Sequence, residues 1–123
     1  MSFEGGVIVK LGGSIVTEKD SPELRVREEL VRRLAEEIRD EAGRPLVLIH
    51  GAGSFGHQIV HRTGIHEGLS GDQNLLDFGE TQRLQYELNS RITSVFLEVG
   101  LPVMPCQASA SAVMKEKRLL SMD

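Results

Sequence analysis

The sequence has a single cysteine, no tryptophan and few aromatic residues among its 123 residues. With Cys106 alone, no disulfide can form within the chain, and a reducing, cytoplasmic setting is expected. Pro105 and Gln107 offer no charge that would activate the thiol, so we interpret Cys106 as a structural residue rather than a nucleophile.

Positive charge is also scarce, since 14 lysines and arginines stand against 18 acidic residues and the net charge is −4. Nucleic-acid and anionic-membrane surfaces need a basic excess, so neither partner is expected. No apolar run approaches the roughly 20 residues that cross a bilayer, and the N-terminus has no signal pattern. Any anion site must be local, built from a few cationic side chains and backbone N–H groups.

The first half of the chain contains two apolar runs separated by an amphipathic stretch. Residues 7–9 predict a strand, with Lys10 at its last position and a glycine turn after it. Ser21, followed by proline and glutamate, predicts the N-cap of a helix that ends at Gly43. Residues 45–49 predict a second strand.

The second half predicts a short helix to about Arg62, a mobile polar loop over 63–73, and a long helix that closes at Gly100. A third strand over 101–105 and a β-hairpin from 111 onward follow. The long helix carries one apolar stripe, which fits either a core or a dimer interface: Leu84, Leu88, Ile92, Val95, Phe96 and Val99.

Strands that alternate with helices are typical of a parallel sheet with helices on its faces. We therefore predict an α/β fold, a three-layer α/β/α arrangement around a mainly parallel sheet. Three parallel strands are few for such a sheet, so we expect the chain to stop before the fold is complete.

Two glycine-rich turns follow the first two strands, at residues 12–13 and 51–56. Glycine lets the backbone approach a ligand closely, and the start of the next helix offers free N–H groups to an anion. Because parallel strands end at the same sheet edge, both turns are expected to open on one ligand site.

Cationic side chains accompany both turns. Burying the ammonium group of Lys10 at the end of a strand costs desolvation free energy unless the group meets an anion or extends to solvent. Lys19 lies shortly after the first turn. His57 follows the second turn, where it can bind a phosphate oxygen or pack at the helix start, and His50 precedes that turn and can hold it through the backbone.

The second turn also spells the dinucleotide-binding pattern through Gly51, Gly53 and Gly56. That site needs an acidic residue at the end of the next strand, about 20 residues on, and the sequence has a polar loop and a helix there. The classical P-loop ending, Lys-Ser or Lys-Thr after the last glycine, is absent as well. Both alternatives are disfavoured.

The residues of the two turns resemble the amino acid kinase superfamily, and within it the isopentenyl phosphate kinase family. The motifs that carry the resemblance are Val9-Lys10-Leu11-Gly12-Gly13-Ser14, Thr17-Glu18-Lys19, His50-Gly51-Ala52-Gly53-Ser54-Phe55-Gly56-His57, Gly79-Glu80-Thr81-Gln82 and Pro105-Cys106-Gln107-Ala108-Ser109. Fosfomycin kinases share much of this pattern.

The resemblance implies transfer of a phosphoryl group from ATP, with Mg²⁺ held largely by the nucleotide, onto isopentenyl phosphate to give isopentenyl diphosphate in isoprenoid synthesis. It implies catalytic roles for Lys10, Lys19 and His57. The ATP phosphates would be held by Lys10, Gly12, Gly13, Ser14 and Gly53. The phosphate of the acceptor would be held by Ala52, Gly53 and His57. The apolar tail of the acceptor would lie in an apolar pocket, and Phe78, Tyr86 and Ile59 are guesses for the residues that line it.

Members of the family are about twice as long as this chain. Residues 1–123 would thus be the N-terminal, acceptor-binding part of a kinase domain without its nucleotide-binding part, and the isolated chain is expected to be inactive. Family members are commonly homodimers, and a separate chain could supply the missing half. Other readings are a related kinase of the fosfomycin-kinase type and a non-catalytic phosphate- or nucleotide-sensing module.

Overall fold

The computed structural model describes residues 4–41 and 43–122. Its central feature is a parallel strand pair, β1 (Val7–Leu11) and β2 (Leu46–His50). The register aligns Val7 with Leu46 and Leu11 with His50, so both strands end at the same level. The sequence predicted that Lys10 is the last residue of β1. In the structure Lys10 is the penultimate residue, because the strand continues to Leu11.

Five helical segments connect and cover these strands. A single turn, α1, spans Gly13–Val16, and α2 spans Glu28–Asp40. After β2 come α3 (Ser54–Thr63), a short 3-10 turn (Ile65–Glu67) and α4 (Asp72–Glu98). The 3-10 turn and the start of α4 fall within the stretch that we predicted to be a loop over 63–73.

The predicted start of the first long helix at Ser21 is wrong. Thr17 and Val26 form an antiparallel bridge, which folds the intervening residues back as a turn before α2 begins at Glu28. The Ser21 hydroxyl does accept from a backbone N–H, that of Glu23, at 3.3 Å, but it caps this turn and not a helix. Serine before proline favours turns as well as helix starts, which explains the error.

The core lies between one face of the sheet and the helices. The apolar stripe predicted for α4 is buried throughout, with Leu88 fully enclosed and Phe96 1% exposed. It packs among α2, α3 and the inner residues of the strands, so the stripe belongs to the core and not to an interface. Gly100 ends the segment with φ +85°, and its N–H donates to Leu97 O, as the predicted glycine stop requires.

The opposite face of the sheet is open. Ile8 is 63% exposed and Ile49 is 46% exposed, whereas Val9 and Leu48 on the inner face pack against the core. The described residues thus provide the sheet and one helical layer of the α/β fold. Buried β-branched side chains are normal in a parallel sheet, and their exposure here marks a face that remains uncovered.

The predicted strand over residues 101–105 does not form within the described part of the chain. Leu101 and Val103 pack against the core, but the segment pairs with no strand, and a cavity of about 760 Å³ separates it from β2. Pro102 and Pro105 also remove two backbone donors from the segment, which weakens any ladder.

A β-hairpin ends the chain, as predicted. β3 (Ala112–Lys115) pairs antiparallel with β4 (Arg118–Met122) after a 3-10 turn at Ala108–Ala110. The two-residue turn places Glu116 at φ 49° and Lys117 at φ 63°, the positive angles that tight hairpin turns use. No described helix is both long and apolar enough to cross a membrane.

Candidate functional site

The two glycine turns meet at the carboxyl edge of the sheet. The N–H of Gly51 donates to Leu11 O at 2.9 Å, which joins the ends of β1 and β2. The register of the strands therefore places the first turn directly beside the second, as the sequence predicted.

The contact between the turns is backbone to backbone. A Cβ added to Gly13 would lie 2.5 Å from Gly53 N, and one added to Gly51 would lie 2.6 Å from Gly13 N. Real side chains do not approach so closely, so both positions require glycine. By contrast, a Cβ on Gly12 would meet nothing within 4 Å.

Helix α3 begins at this contact. Gly53 precedes the helix with φ 53°, the left-handed region that favours glycine. Within the described chain, the N–H groups of Gly12, Gly13, Ala52 and Gly53 donate to no backbone carbonyl or side chain. Free N–H groups next to a helix N-terminus attract anions, because the helix dipole adds to their partial positive charge.

The three predicted cationic residues surround this edge. Lys10 lies on the open face of the sheet, one residue before the end of β1, and Lys19 lines an open cleft of about 470 Å³ together with Ser14. His57 lies in the first turn of α3 with an exposed side chain, and its N–H donates to Gly53 O at 3.1 Å. None of the three side chains has a hydrogen bond or an ion pair with a residue that the structure describes.

The structure thus brings Gly12, Gly13, Ala52 and Gly53 into one contact region. Ser14 continues from it into α1 with an exposed side chain. The lysines and His57 flank this region without touching each other among the described contacts.

Three features of the site escaped the sequence reading. Thr17 is buried between the turns, and its hydroxyl bonds to both of them. The Ser54 hydroxyl, at the first residue of α3, is buried and has no partner among the described residues. Arg27 donates to Ser14 O at 3.1 Å and lines the same cleft as Lys19. Thr17 stood in a quoted motif, but only the folded contact reveals its role.

His50 holds the second turn, which agrees with the structural alternative considered for it. Its Nδ1 lies 3.1 Å from Gly51 O. Since a carbonyl oxygen only accepts, Nδ1 carries the proton and donates. His61 and His66 are exposed on the other end of α3 and the following turn, away from the glycine contact.

The residues suggested for an apolar tail do not form one surface. Ile59 is 4% exposed and belongs to the core, and Phe78 is 45% exposed near the start of α4. Tyr86 lines a separate cavity of about 790 Å³ beside His50 and Gln85. Ile59 thus offers no exposed surface among the described residues, and its place beside an apolar tail stays a prediction.

In the described part of the chain, metal-binding side chains are not clustered at this edge. The described residues contain no group of three or more histidine, cysteine or acidic side chains that could hold a metal ion. The donor set that is present, backbone N–H groups with lysines and a histidine, suits phosphate oxygens.

Similar proteins share this architecture. The chain is 35% identical over 108 residues to isopentenyl phosphate kinase from Methanothermobacter thermautotrophicus, covering 85% of this chain and 41% of that protein. It is 29% identical over 120 residues to the same enzyme from Methanocaldococcus jannaschii, covering 89% of this chain and 46% of the relative. The chain thus spans less than half the length of these relatives.

Solved structures agree with the sequence comparison. A structure of isopentenyl phosphate kinase superposes with a TM-score of 0.87 at 33% identity, covering 96% of this chain and 50% of its own. A substrate complex of isopentenyl phosphate kinase shares the fold with a TM-score of 0.73 at 24% identity. The amino acid kinase family matches residues 6–121, which is nearly the whole sequence, and the chain belongs to that family.

Proposed function

We propose that this chain is the N-terminal, acceptor-binding part of a kinase that transfers a phosphoryl group from ATP to isopentenyl phosphate, giving isopentenyl diphosphate. The observation that carries the proposal is the backbone contact between Gly13 and Gly53, which joins two turns with free N–H groups at one sheet edge. A kinase whose acceptor is itself a phosphate needs two adjacent anion sites. The names of the relatives supply the substrate.

The first turn suits the phosphate that is transferred. Its free N–H groups at Gly12 and Gly13 would hold the ATP phosphates together with Ser14, Gly53 and the ammonium of Lys10. Lys19, which lines an open cleft together with Ser14, would stabilise the negative charge of the transition state. Phosphoryl transfer depends on such positioning and charge neutralisation more than on covalent chemistry.

The second turn suits the phosphate already on the acceptor. The N–H groups of Ala52 and Gly53 lie at the start of α3, and His57 projects from its first turn. A protonated imidazole there adds charge to the helix dipole, and both favour a phosphate. Two anions held close together need this separate neutralisation.

ATP and Mg²⁺ fit the chain to different degrees. The N–H groups of Gly12, Gly13, Ala52 and Gly53, which have no acceptor among the described residues, suit the oxygens of a triphosphate. The described residues offer no carboxylate cluster for the metal, so Mg²⁺ would arrive with the nucleotide, whose charge it neutralises. The nucleotide-binding part itself would lie in the half of the relatives that this chain does not span.

Exposed apolar surfaces of this chain support the proposal that a second half of the kinase domain covers them. The outer sheet face exposes Ile8 and Ile49, Met104 is 92% exposed, and β4 is exposed along its whole length. Such apolar area is normally covered in a folded enzyme. We propose that the covering half is either a continuation of the chain or a separate polypeptide, and that the complete protein is a homodimer.

A reconstitution experiment tests this function. The chain is mixed with the C-terminal half of the Methanothermobacter relative, and diphosphate formation is followed with ATP, Mg²⁺ and isopentenyl phosphate. We expect turnover from the mixture, little from either half, and none with a Lys10→Ala chain. Fosfomycin in place of isopentenyl phosphate distinguishes a related kinase. Phosphate binding without turnover in both the mixture and the full-length protein would instead indicate a sensing module.

The division of binding between the halves has its own test. Isothermal titration of the isolated chain with ATP and Mg²⁺ should show weak binding. Micromolar affinity would contradict the assignment of the nucleotide pocket to the other half.

A further inference from the structure

One hydroxyl group connects the two glycine turns. Thr17 is 1% exposed, and its Oγ1 donates to Gly13 O at 2.9 Å. The same oxygen accepts from the N–H of Ser54, the first residue of α3, at 3.0 Å. A single side-chain atom thus bonds to the first turn and to the helix that follows the second turn.

The backbone of Thr17 is itself held firmly. Its N–H donates to Gly13 O at 3.0 Å, and the bridge to Val26 fixes it from the other side. The N–H of Glu18 donates to Arg25 O at 3.0 Å. The hydroxyl is therefore a fixed point and not a mobile side chain that happens to reach both turns.

The surrounding packing leaves little room for the turns to slide. A Cβ on Gly53 would lie 2.1 Å from Thr17 Oγ1 and 2.7 Å from its Cγ2. The turns are thus close enough that a small shift changes the separation of anything bound to them. In phosphoryl transfer the reacting atoms must lie about 3–3.5 Å apart, so this separation governs the rate.

We propose that Thr17 is a positioning residue that sets the distance between the transferred phosphate and the acceptor phosphate. This inference rests on the function proposed above. Thr17 lies beneath the turns and touches no substrate in that scheme. Its hydroxyl acts through Gly13 on one side and Ser54 on the other.

Two substitutions separate the hydroxyl from the bulk of the side chain. Thr17→Val keeps the shape and removes the bonding atom, which leaves the Ser54 N–H buried without an acceptor. Thr17→Ser keeps the hydroxyl and removes only a methyl group.

The kinetic test uses the active assembly, either the full-length protein or the reconstituted mixture. Thr17→Val should lower kcat by about 10- to 100-fold, the scale of a misplaced reacting pair, with both KM values within about threefold. Thr17→Ser should keep kcat within about threefold of the wild type. A folded Thr17→Val enzyme with wild-type kcat, or a Thr17→Ser enzyme as slow as Thr17→Val, would overturn the proposal.

A second measurement does not depend on activity. Amide hydrogen exchange at Ser54 reports the bond directly in the 123-residue chain. Thr17→Val should speed exchange at Ser54 by about tenfold or more, the effect of losing a bond of about 1.4 kcal/mol, whereas Thr17→Ser should not. Unchanged exchange in Thr17→Val removes the link. Should the wild-type assembly lack kinase activity, the proposed function fails, and the role in phosphoryl transfer fails with it; this measurement then decides only whether the Thr17 hydroxyl joins the two turns.

Discussion

Asn89 of α4 lies 2.9 Å from His50 at the end of β2, with its side-chain nitrogen Nδ2 facing the imidazole Nε2. Because the amide nitrogen of Asn89 only donates, Nε2 of His50 accepts from it, while Nδ1 of the same ring donates to Gly51 O. The long helix is thereby joined through the imidazole of His50 to the start of the second glycine turn.

This relay predicts a stability effect. Asn89→Leu should lower the free energy of unfolding by about 1 kcal/mol, since it removes a partner of a half-buried imidazole. Chemical denaturation measures the change. Ser90→Ala, at the exposed neighbouring position of α4, serves as the control and should be close to neutral. A loss in Ser90→Ala equal to that in Asn89→Leu would assign the effect to the helix rather than to the relay.

The glycine contact predicts a position-specific cost. Gly13→Ala should destabilise the chain by about 1–3 kcal/mol, because its Cβ would collide with Gly53 N and neither backbone can yield easily. Gly12→Ala is the matched control for stability, since its Cβ would meet open space and its φ of −62° suits alanine. Urea denaturation of both variants gives the comparison, and equal stabilities would refute the close contact.

His57 is predicted to bind the acceptor phosphate. In the active assembly, His57→Ala should raise KM for isopentenyl phosphate by the equivalent of about 1–3 kcal/mol, the scale of a lost hydrogen bond to a charged group. His61→Ala, on the exposed far end of the same helix, should leave KM unchanged. Steady-state kinetics separates the two, and unchanged KM and kcat in His57→Ala would remove His57 from the site.

Lys19 is predicted to act on the transition state. Lys19→Ala should lower kcat more than it lowers nucleotide affinity, since charge at this position matters most while the phosphoryl group is in transit. Lys117→Ala, in the hairpin turn, provides a control with the same loss of charge. Turnover and ATP titration on the same preparation measure both quantities. A loss of affinity with unaltered kcat would place Lys19 on the bound nucleotide instead.

A surface pair on α4 predicts a small pH effect. The hydrogen bond from Arg83, at 2.7 Å, lowers the pKa of Glu80. A carboxyl whose pKa is lowered by folding stabilises the fold above its unfolded pKa, and this contribution disappears as the pH falls through the lowered folded value. The difference in Tm between wild type and Glu80→Gln should therefore be present at neutral pH and vanish in acid. Both residues are exposed, so the effect should also shrink in high salt.

Local patterns predicted most elements of the fold, because burial and glycine geometry act within short stretches. The α4 stripe and its stop at Gly100 could be read from helical spacing alone. The start of α2 could not, since the Thr17–Val26 bridge competes with the capping signal at Ser21. Residues 101–105 read as a strand by composition, but a strand needs a neighbour, and the chain places a cavity there instead.

The site was predictable to a similar extent. The glycines in the sequence predicted the two turns whose backbone N–H groups form the candidate site. That the turns lie side by side followed from two parallel strands that end at the same level. The link through Thr17 was not visible, because a buried threonine and a surface threonine have the same letter. The Ser54 hydroxyl, which has no hydrogen-bond partner among the residues that the structure describes, could not be predicted either, because its burial arises from packing at the start of α3.

The uncovered sheet has a consequence for how the isolated chain behaves in solution. Neither edge of the β1–β2 pair is occupied by another described strand, and apolar side chains line its outer face. Edges of this kind pair readily with any extended peptide, including further copies of the same chain. We expect the isolated polypeptide to aggregate as its concentration rises, and the half that covers this sheet to act as its solubilising partner.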